Sequence, residues 1–550
     1  MPNKGGDHDL KFGMTYHNTR ITPTIENDLG GRFTFDGDLR FDPLNPATYP
    51  ERLAVRVGNP LGQTFDFTLD TYEVFAQDKW QINNRLTAGL GIRYDLERHD
   101  GGGLSGGGVT QNPLLPDGPY NDTNNISPRL SLAYDLTGDG RSVIRAGYGA
   151  FYDKTTIDAW DNPLQFPKFA GSFVQNFPQN SADPGPGNGL LPTHPLLLNY
   201  GTTNACPAQL ANVPCPEVDF AAINALFPAG TLNPNLGDVY FDSPTRQQPW
   251  MHQFTFGYER ELAPTLSVSA DFIRTMGRDM LGRVDYNIPT RAGIGRTDPL
   301  RFGLSTGSLY GDTFGVLSAD PDFAGFYQGN NVIVMQSVGQ TAYDALNLQV
   351  EKRYSDRWGA RLAYALGHSR GNTFNLWQTI ATQVGPDLRL DDFYQDAATD
   401  RRHILTVSGR TELPGGVTAS AVLRYMTGSP LTIHDTNFDP DRNGKNPDPI
   451  AAGTYSGDDP QNGITVQNAG GYGGARGPDF LQLDMRFGYR VRPTTTNTLD
   501  IFFDIFNITG RTNFNNPTGD RRSGNFLNTT SLRGGSGFPR QGQFGIRYGF

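Results

Sequence analysis

The sequence predicts an all-β protein whose antiparallel strands cross a membrane as a barrel. Three observations predict it. Apolar residues recur at every second position in segments about ten residues long, the length that spans a bilayer at a tilt. The intervening positions carry Gly, Arg, Asp and Gln rather than the Lys, Thr and Glu of a solvated surface. Short and long connections alternate from residue 70 to the end of the chain.

The dyad is plain in several segments. Leu86, Ala88, Leu90, Ile92 and Tyr94 share one face, against Thr87, Gly89, Gly91 and Arg93 on the other. Trp358, Ala360, Leu362, Tyr364 and Leu366 repeat the pattern, as do Leu481, Leu483, Met485, Phe487 and Tyr489. The chain closes on it, with Phe544, Ile546, Tyr548 and Phe550 opposite Gln543, Gly545, Arg547 and Gly549. Periodicity alone fits a soluble sandwich as well as a membrane barrel. Sandwich strands average nearer five or six residues, however. Tyr94, Tyr148, Tyr425 and Tyr489 also sit near segment ends, where interfacial girdles lie.

Short turns are expected at 81–85, 136–141 (LTGDGR), 261–265, 354–357, 412–416 and 492–497. Long Gly-, Pro- and Asn-rich loops are expected at about 95–128, 152–251, 274–342, 369–402, 427–479 and 508–541. Outer-membrane barrels have short periplasmic turns and long outer loops. Strands then start near 10, 70, 86, 129, 142, 252, 266, 343, 358, 403, 417, 480, 498 and 543. That is fourteen, an even count that puts both chain ends on the periplasmic side. Strand-like stretches at 31–35, 52–57 and 332–336 would break the parity and are assigned to hairpins inside outer loops. The whole chain, 1–550, reads as one barrel domain, with 152–251 its longest extracellular loop.

Composition narrows the class. Gly (67) and Pro (39) break helix interiors and favour turns. With 35 Phe and 23 Tyr, the chain has too many aromatics for a low-hydrophobicity coil. The net charge of −10 argues against a nucleic-acid partner, which needs a basic face. Nearly all positive charge is Arg, which suits bidentate pairing with carboxylates in a crowded polar interior and equally suits a GC-rich genome. The start, MPNKGGDHDLKFG, has no apolar signal region, and no run of about 18 apolar residues occurs.

Several blocks together resemble a known family. They are HDLKFGMTY (8–16), YEVFAQDKWQINNRLTAGLGIRYD (72–95), SPRLSLAYDLTGDGRSVIRAGYGAFYD (127–153), YDALNLQVEKRYSDRWGARLAYALGHS (343–369), DIFNITGRTNFNNP (504–517) and the terminal QFGIRYGF. In this order they resemble the C-terminal barrel of TonB-dependent receptors, specifically the Oar-like group. The resemblance implies a Gram-negative cell outer membrane, a barrel of about 22 strands and a plug domain. It also implies TonB as the energising partner, acting through a region ahead of the barrel. Without signal peptide, plug or TonB box, the chain is expected to be the C-terminal part of a longer receptor. The resemblance further implies that the barrel-assembly machinery reads the ending formed by Phe544, Ile546, Tyr548 and Phe550 as an insertion signal.

Few residues point to other chemistry. Cys206 and Cys215, with eight residues between them in the longest loop, suit a small disulfide that the oxidising periplasm would preserve; two free thiols are the alternative. Asp439, Asp441 and Asn443 begin like a calcium loop. The twelfth position is Ile450 where a bidentate Glu is required, so a solvated turn fits better. No cofactor is expected. The Gly clusters at 101–108 and 470–477 read as flexible outer loops. Arg93, Arg145, Arg361, Arg424, Asp484, Arg486 and Asp504 form an inward charge set. It would either contact a plug or charged solute, or pair across strands in a wet lumen.

The function expected is a receptor-type barrel for uptake of a bulky nutrient, with outer-membrane lipid around it. A structural or adhesive surface protein without transport is the alternative. An enzyme is not expected, since the pair His434–Asp435 in an outer loop is weak support for a rim protease. The loops carry no motif that names a substrate.

Overall fold

The computed structural model describes residues 5–21, 24–25, 32–35, 52–57, 63–64, 67–99, 122–154, 171–176, 197–198, 217–218, 239–242, 246–285, 332–372, 394–435, 448–492, 494, 497–534 and 538–550. Fourteen strands form one antiparallel meander. They are β1 (Asp7–Ile21), β2 (Phe67–Gln81), β3 (Leu86–His99), β4 (Ile126–Asp135), β5 (Ser142–Tyr152), β6 (Trp250–Ala263) and β7 (Leu266–Asp285). The second half is β8 (Val332–Ser355), β9 (Trp358–Gly371), β10 (His403–Glu412), β11 (Val417–Met426), β12 (Phe480–Val491), β13 (Thr498–Phe506) and β14 (Gln541–Gly549). Each pairs with its neighbours in sequence, from β1 at one end of the path to β14 at the other. The fourteen expected strands are all present.

The turns that join them have local causes. At LTGDGR the Asp135 carboxylate accepts the N–H groups of Thr137 (3.2 Å), Gly138 (2.9 Å) and Gly140 (2.7 Å). Gly138 and Gly140 supply the positive φ that this tight path needs. The β8–β9 turn is tighter still. Only Asp356 and Arg357 separate the strands, with φ of 52° and 71°. That is the two-residue hairpin geometry normally filled by Asn-Gly.

Wall strands run from nine residues in β14 to 24 in β8. The extra length of β8 corrects one expectation. Residues 332–336 are the outer extension of this wall strand, not a separate hairpin, and they continue the ladder with β7 through Arg283–Met335 and Asp285–Ile333. The parity survives because the two stretches are one strand. The loop expected at 274–342 gives up its two ends, 274–285 to β7 and 332–342 to β8. Arg32–Thr34 and Arg52–Val57 do pair as a hairpin, and Gly171–Asn176 from the next-but-one long loop adds a third strand.

One face of the sheet is apolar and uncovered. Phe12 is 85% exposed, Ile92 54%, Phe256 55% and Ile546 62%. A soluble protein rarely leaves so large an apolar patch bare. Aromatic rings bracket this face. Trp80, Tyr134, Trp358, Tyr489 and Tyr548 sit at the short-turn ends of β2, β4, β9, β12 and β14. Tyr16, Tyr72, Tyr94, Tyr364 and Tyr425 sit toward the long-loop ends. On β2, eight steps of about 3.4 Å separate Tyr72 from Trp80, or about 27 Å along the strand. At a tilt of about 35–45° that length rises about 19–22 Å along the membrane normal, close to the apolar band of about 25 Å on a transmembrane barrel.

Among the described residues a compact hydrophobic core lies outside the wall. Leu431, Ile433, Ile450, Val466, Ala475 and Leu527 bury one another, with Tyr455, Ile464 and Phe526 against them. These residues come from the β11–β12 and β13–β14 connections, which fold together as a cap on the long-loop end.

Candidate functional site

The face opposite the bare apolar one is polar along its whole width. Its residues follow from the register. Arg145 lies opposite Gly257, Gly257 opposite Asp271, and Asp271 opposite Asn347. Arg361 lies opposite Ser408, Ser408 opposite Val422, and Val422 opposite Asp484. Counted by twos along each strand, Arg93, Arg145, Arg361, Arg424, Asp484, Arg486 and Asp504 all share this face.

The structure resolves them into separate partnerships rather than one cluster. Arg424 meets Asp484 at 3.1 Å, and Arg486 meets Asp504 through two bonds, one of 2.8 Å. Arg93 is held by Glu73 (2.9 Å) and Asp95 (2.8 Å). Arg145 bridges Glu259 (2.9 Å) and Asp271 (3.3 Å). Arg361 donates to the amide oxygen of Gln349 at 2.7 Å. The pairing partners Glu73, Asp95, Glu259 and Asp271 escape a strand-by-strand reading, and so does the pair Arg490–Asp500 at 2.6 Å. Register is the signal that finds them. Gly257 shows why: a Cβ there would collide with the Asp271 carboxylate, so the glycine opens the space through which Arg145 reaches a second acid.

Glycine on this face also makes room for rings. A Cβ on Gly545 would strike the Phe502 ring across the strand, and one on Gly149 would strike Phe151. The Arg486 guanidinium stacks over Phe502 at 4.3 Å. Polar and aromatic groups thus interleave without an apolar surface forming.

At the long-loop end the cap is tied down by asparagines from the DIFNITGRTNFNNP block. Asn507 donates to the carbonyls of Arg511 (2.8 Å) and Phe538 (3.0 Å). Asn513 exchanges two bonds with the backbone of Leu481, at 3.0 and 3.1 Å. Asn516 accepts from the Ser429 hydroxyl at 3.0 Å and donates to the Pro430 carbonyl at 2.8 Å. Beside them a charge cluster forms: Arg476 meets Asp400 at 2.7 Å and Asp396 more closely, while Arg402 and His368 also reach Asp396. Burial and the neighbouring Arg533 and Arg476 push the Arg401 guanidinium down to about 10.

The Gly cluster at 470–477 is part of this cap rather than a flexible loop. Ala469 N–H bonds Gly474 O (2.8 Å), Gly473 N–H bonds the Thr432 hydroxyl (2.9 Å), and Gly477 N–H bonds Ser429 O (2.9 Å). Its glycines allow backbones to pack where side chains would clash: a Cβ on Gly474 would meet Gly470 O at 2.5 Å. The other cluster, 101–108, lies outside the described residues. So do Cys206, Cys215, Asp439, Asp441 and Asn443. His434 and Asp435 form a short ladder with Asp448–Pro449, and Asp435 is bound by Arg522 at 2.6 Å. Phe544, Ile546, Tyr548 and Phe550 project from the exposed apolar face of the last strand.

Comparison with known proteins places this architecture. Residues 4–543 match the family described as outer membrane beta barrel domain. The TonB-dependent transporter Oar of Myxococcus xanthus is 22% identical over 454 residues, covering 80% of this chain and 35% of the relative. Among solved structures, the outer membrane transporter YddB from Escherichia coli superposes with a TM-score of 0.50 at 11% identity, over 98% of this chain and 51% of that one. The chain therefore spans about a third to a half of the length of the proteins it matches. A sheet with one apolar, ring-bracketed face and one ion-paired polar face is what such a barrel wall requires, and the chain belongs to the outer membrane beta barrel domain family, as an Oar-like homologue of TonB-dependent transporters in the cell outer membrane.

Proposed function

We propose that the chain forms the wall of a receptor-type barrel that takes up a bulky nutrient across the outer membrane, energised by TonB through a region ahead of the wall. The observation that carries this reading is the continuous polar face. Polar groups at membrane depth are tolerated where they line water or packed protein. A face of this breadth, with Arg–carboxylate pairs from β2–β3 to β12–β13, suits a wide polar lumen rather than a filled barrel interior. In this reading the long loops and the cap face outward and the short turns face the periplasm.

The folded cap supports a second reading, an adhesive surface protein without transport, because it presents a rigid surface with its own core. One experiment separates the two. The gene is deleted from its host, and growth on a panel of large nutrients at limiting concentration is compared with that of a TonB-depleted strain. Matching uptake defects in the two strains support the receptor. Normal uptake with lost surface attachment supports adhesion and overturns transport.

A further inference from the structure

A further polar site lies beside the paired Arg93, at the long-loop end of β2 to β5. There the wall lines a partly open cavity of about 210 Å³. That is smaller than the roughly 300–1,000 Å³ of sites for drug-sized ligands. Its lining is charged, but most of the charge is engaged. Arg93 is held by Glu73 and Asp95, and Lys154 by Glu73 at 2.9 Å. Glu97 has a partner of its own.

Among the described residues several lining groups lack a polar partner, and three of them bear on the ligand. The Arg129 guanidinium stacks on Phe151 at 4.8 Å and has no hydrogen bond or ion pair among the described residues. The Asp153 carboxylate is also unengaged there; only its backbone bonds, to Gln248 and Pro249. The Ser127 side chain is 1% exposed, and its hydroxyl has no hydrogen-bond partner among the described residues. A buried polar group left unpaired costs about 1–3 kcal/mol, so a vacant hydroxyl aimed into a cavity points to a ligand that satisfies it.

The spare groups define the ligand. Among the described residues one exposed cation, Arg129, and one exposed anion, Asp153, line the cavity without an ion pair, while Ser127 is buried. A simple anion would satisfy Arg129 and be repelled by Asp153; a simple cation would suffer the reverse. A neutral sugar would fill hydrogen bonds but leave both charges unmatched. We propose that this cavity is a binding site for a free α-amino acid, its carboxylate on Arg129, its ammonium on Asp153, and Ser127 hydrogen-bonded to the carboxylate. The site is independent of TonB and of the nutrient that the wide lumen passes.

The full chain, folded in detergent micelles, is titrated calorimetrically with glycine, L-alanine and L-leucine, then with their N-acetyl and methyl-ester derivatives, acetate, methylammonium and glucose. The free amino acids should bind, and blocking either charge should weaken binding tenfold or more. Arg129→Gln and Asp153→Asn should each weaken binding by a similar factor, and Ser127→Ala by a few-fold. Arg490→Gln, on the same face near the short turns, should leave it unchanged. Absence of binding at millimolar amino acid overturns the proposal, as does equal binding of the blocked derivatives or preferential binding of acetate or glucose. If any of the three cavity variants fails to fold, the derivative series on the unaltered protein decides alone.

Discussion

Strand β12 belongs to two structures at once, and the contrast between them is instructive. Its lower part, from Leu483 to Val491, is wall: backbone ladders to β11 and β13 hold it, and each partner follows from the one before. Its first residues, Phe480 and Leu481, also belong to the cap, where side chains far apart in sequence hold the chain. Asn528 bonds Asp458, Arg522 bonds Asp435 and Asn516 bonds Ser429, across 70 to 87 residues. Backbone ladders repeat and tolerate substitution as long as each face keeps its character. The cap depends on single side chains, so it breaks at single positions.

Leu527 tests this most severely. It is fully buried at the centre of the cap core and has a positive φ of 51°. Leu527→Ala should cost the cap about 2–5 kcal/mol. Limited proteolysis should then cut within 448–476 while the folded wall keeps its heat-modifiable mobility on gels. Loss of the wall along with the cap would erase the distinction between the two regions.

The wall's converse is a change of face. Ile546→Arg puts a charge on the apolar side of β14, two residues inward of the Tyr548 ring, at a cost below the about 2–4 kcal/mol of the mid-membrane. Arg547→Gln alters the polar side, where Arg547 lies opposite Asp500. The first should sharply lower the amount of protein in the outer-membrane fraction, and the second should change it little. Equal damage from both would mean that the faces are misassigned.

The smallest effect sharpens the comparison from within the wall. Asp356 and Arg357 occupy left-handed backbone that costs an L-residue about 1–2 kcal/mol. Asp356→Asn with Arg357→Gly should stabilise the fold by about 1 kcal/mol or slightly more, read as a higher urea midpoint of unfolding. An unchanged or lowered midpoint would show that contacts made by these side chains outweigh the strain.

The same contrast explains what was legible in the sequence. The fourteen wall strands were readable because each advertises itself over about ten consecutive residues, as 481–489 does, and because LTGDGR and similar turns are local. The polar-face arginines were readable as a face, yet their partners were not. Whether Arg145 reaches Asp271 depends on register across two strands and on the space above Gly257. The extension of β8 to Val332 was missed because its pairing with β7 resumes beyond an irregularity at Gly277–Met280. The cap left no periodic trace. Ile433, Ile450, Val466 and Leu527 come from four separated stretches and meet only in three dimensions. The asparagines of 507–516 were visible as part of a familiar block, but their bonds to Leu481 and Ser429 were not.

The pairing of arginines with acids on the polar face also shapes how a passing molecule would experience it. A lone guanidinium projects a field that salt screens only over about 8 Å at physiological ionic strength. Each Arg–carboxylate pair, with its atoms about 3 Å apart, is instead a small dipole whose field fades much faster with distance. Such a surface wets and hydrogen-bonds a solute that touches it, yet neither draws in nor detains one at a distance. A solute moving along the paired stretches would be met nearly alike whatever the sign of its charge, and sign would be felt only where a guanidinium lacks an acid, as at Arg361 and Arg129.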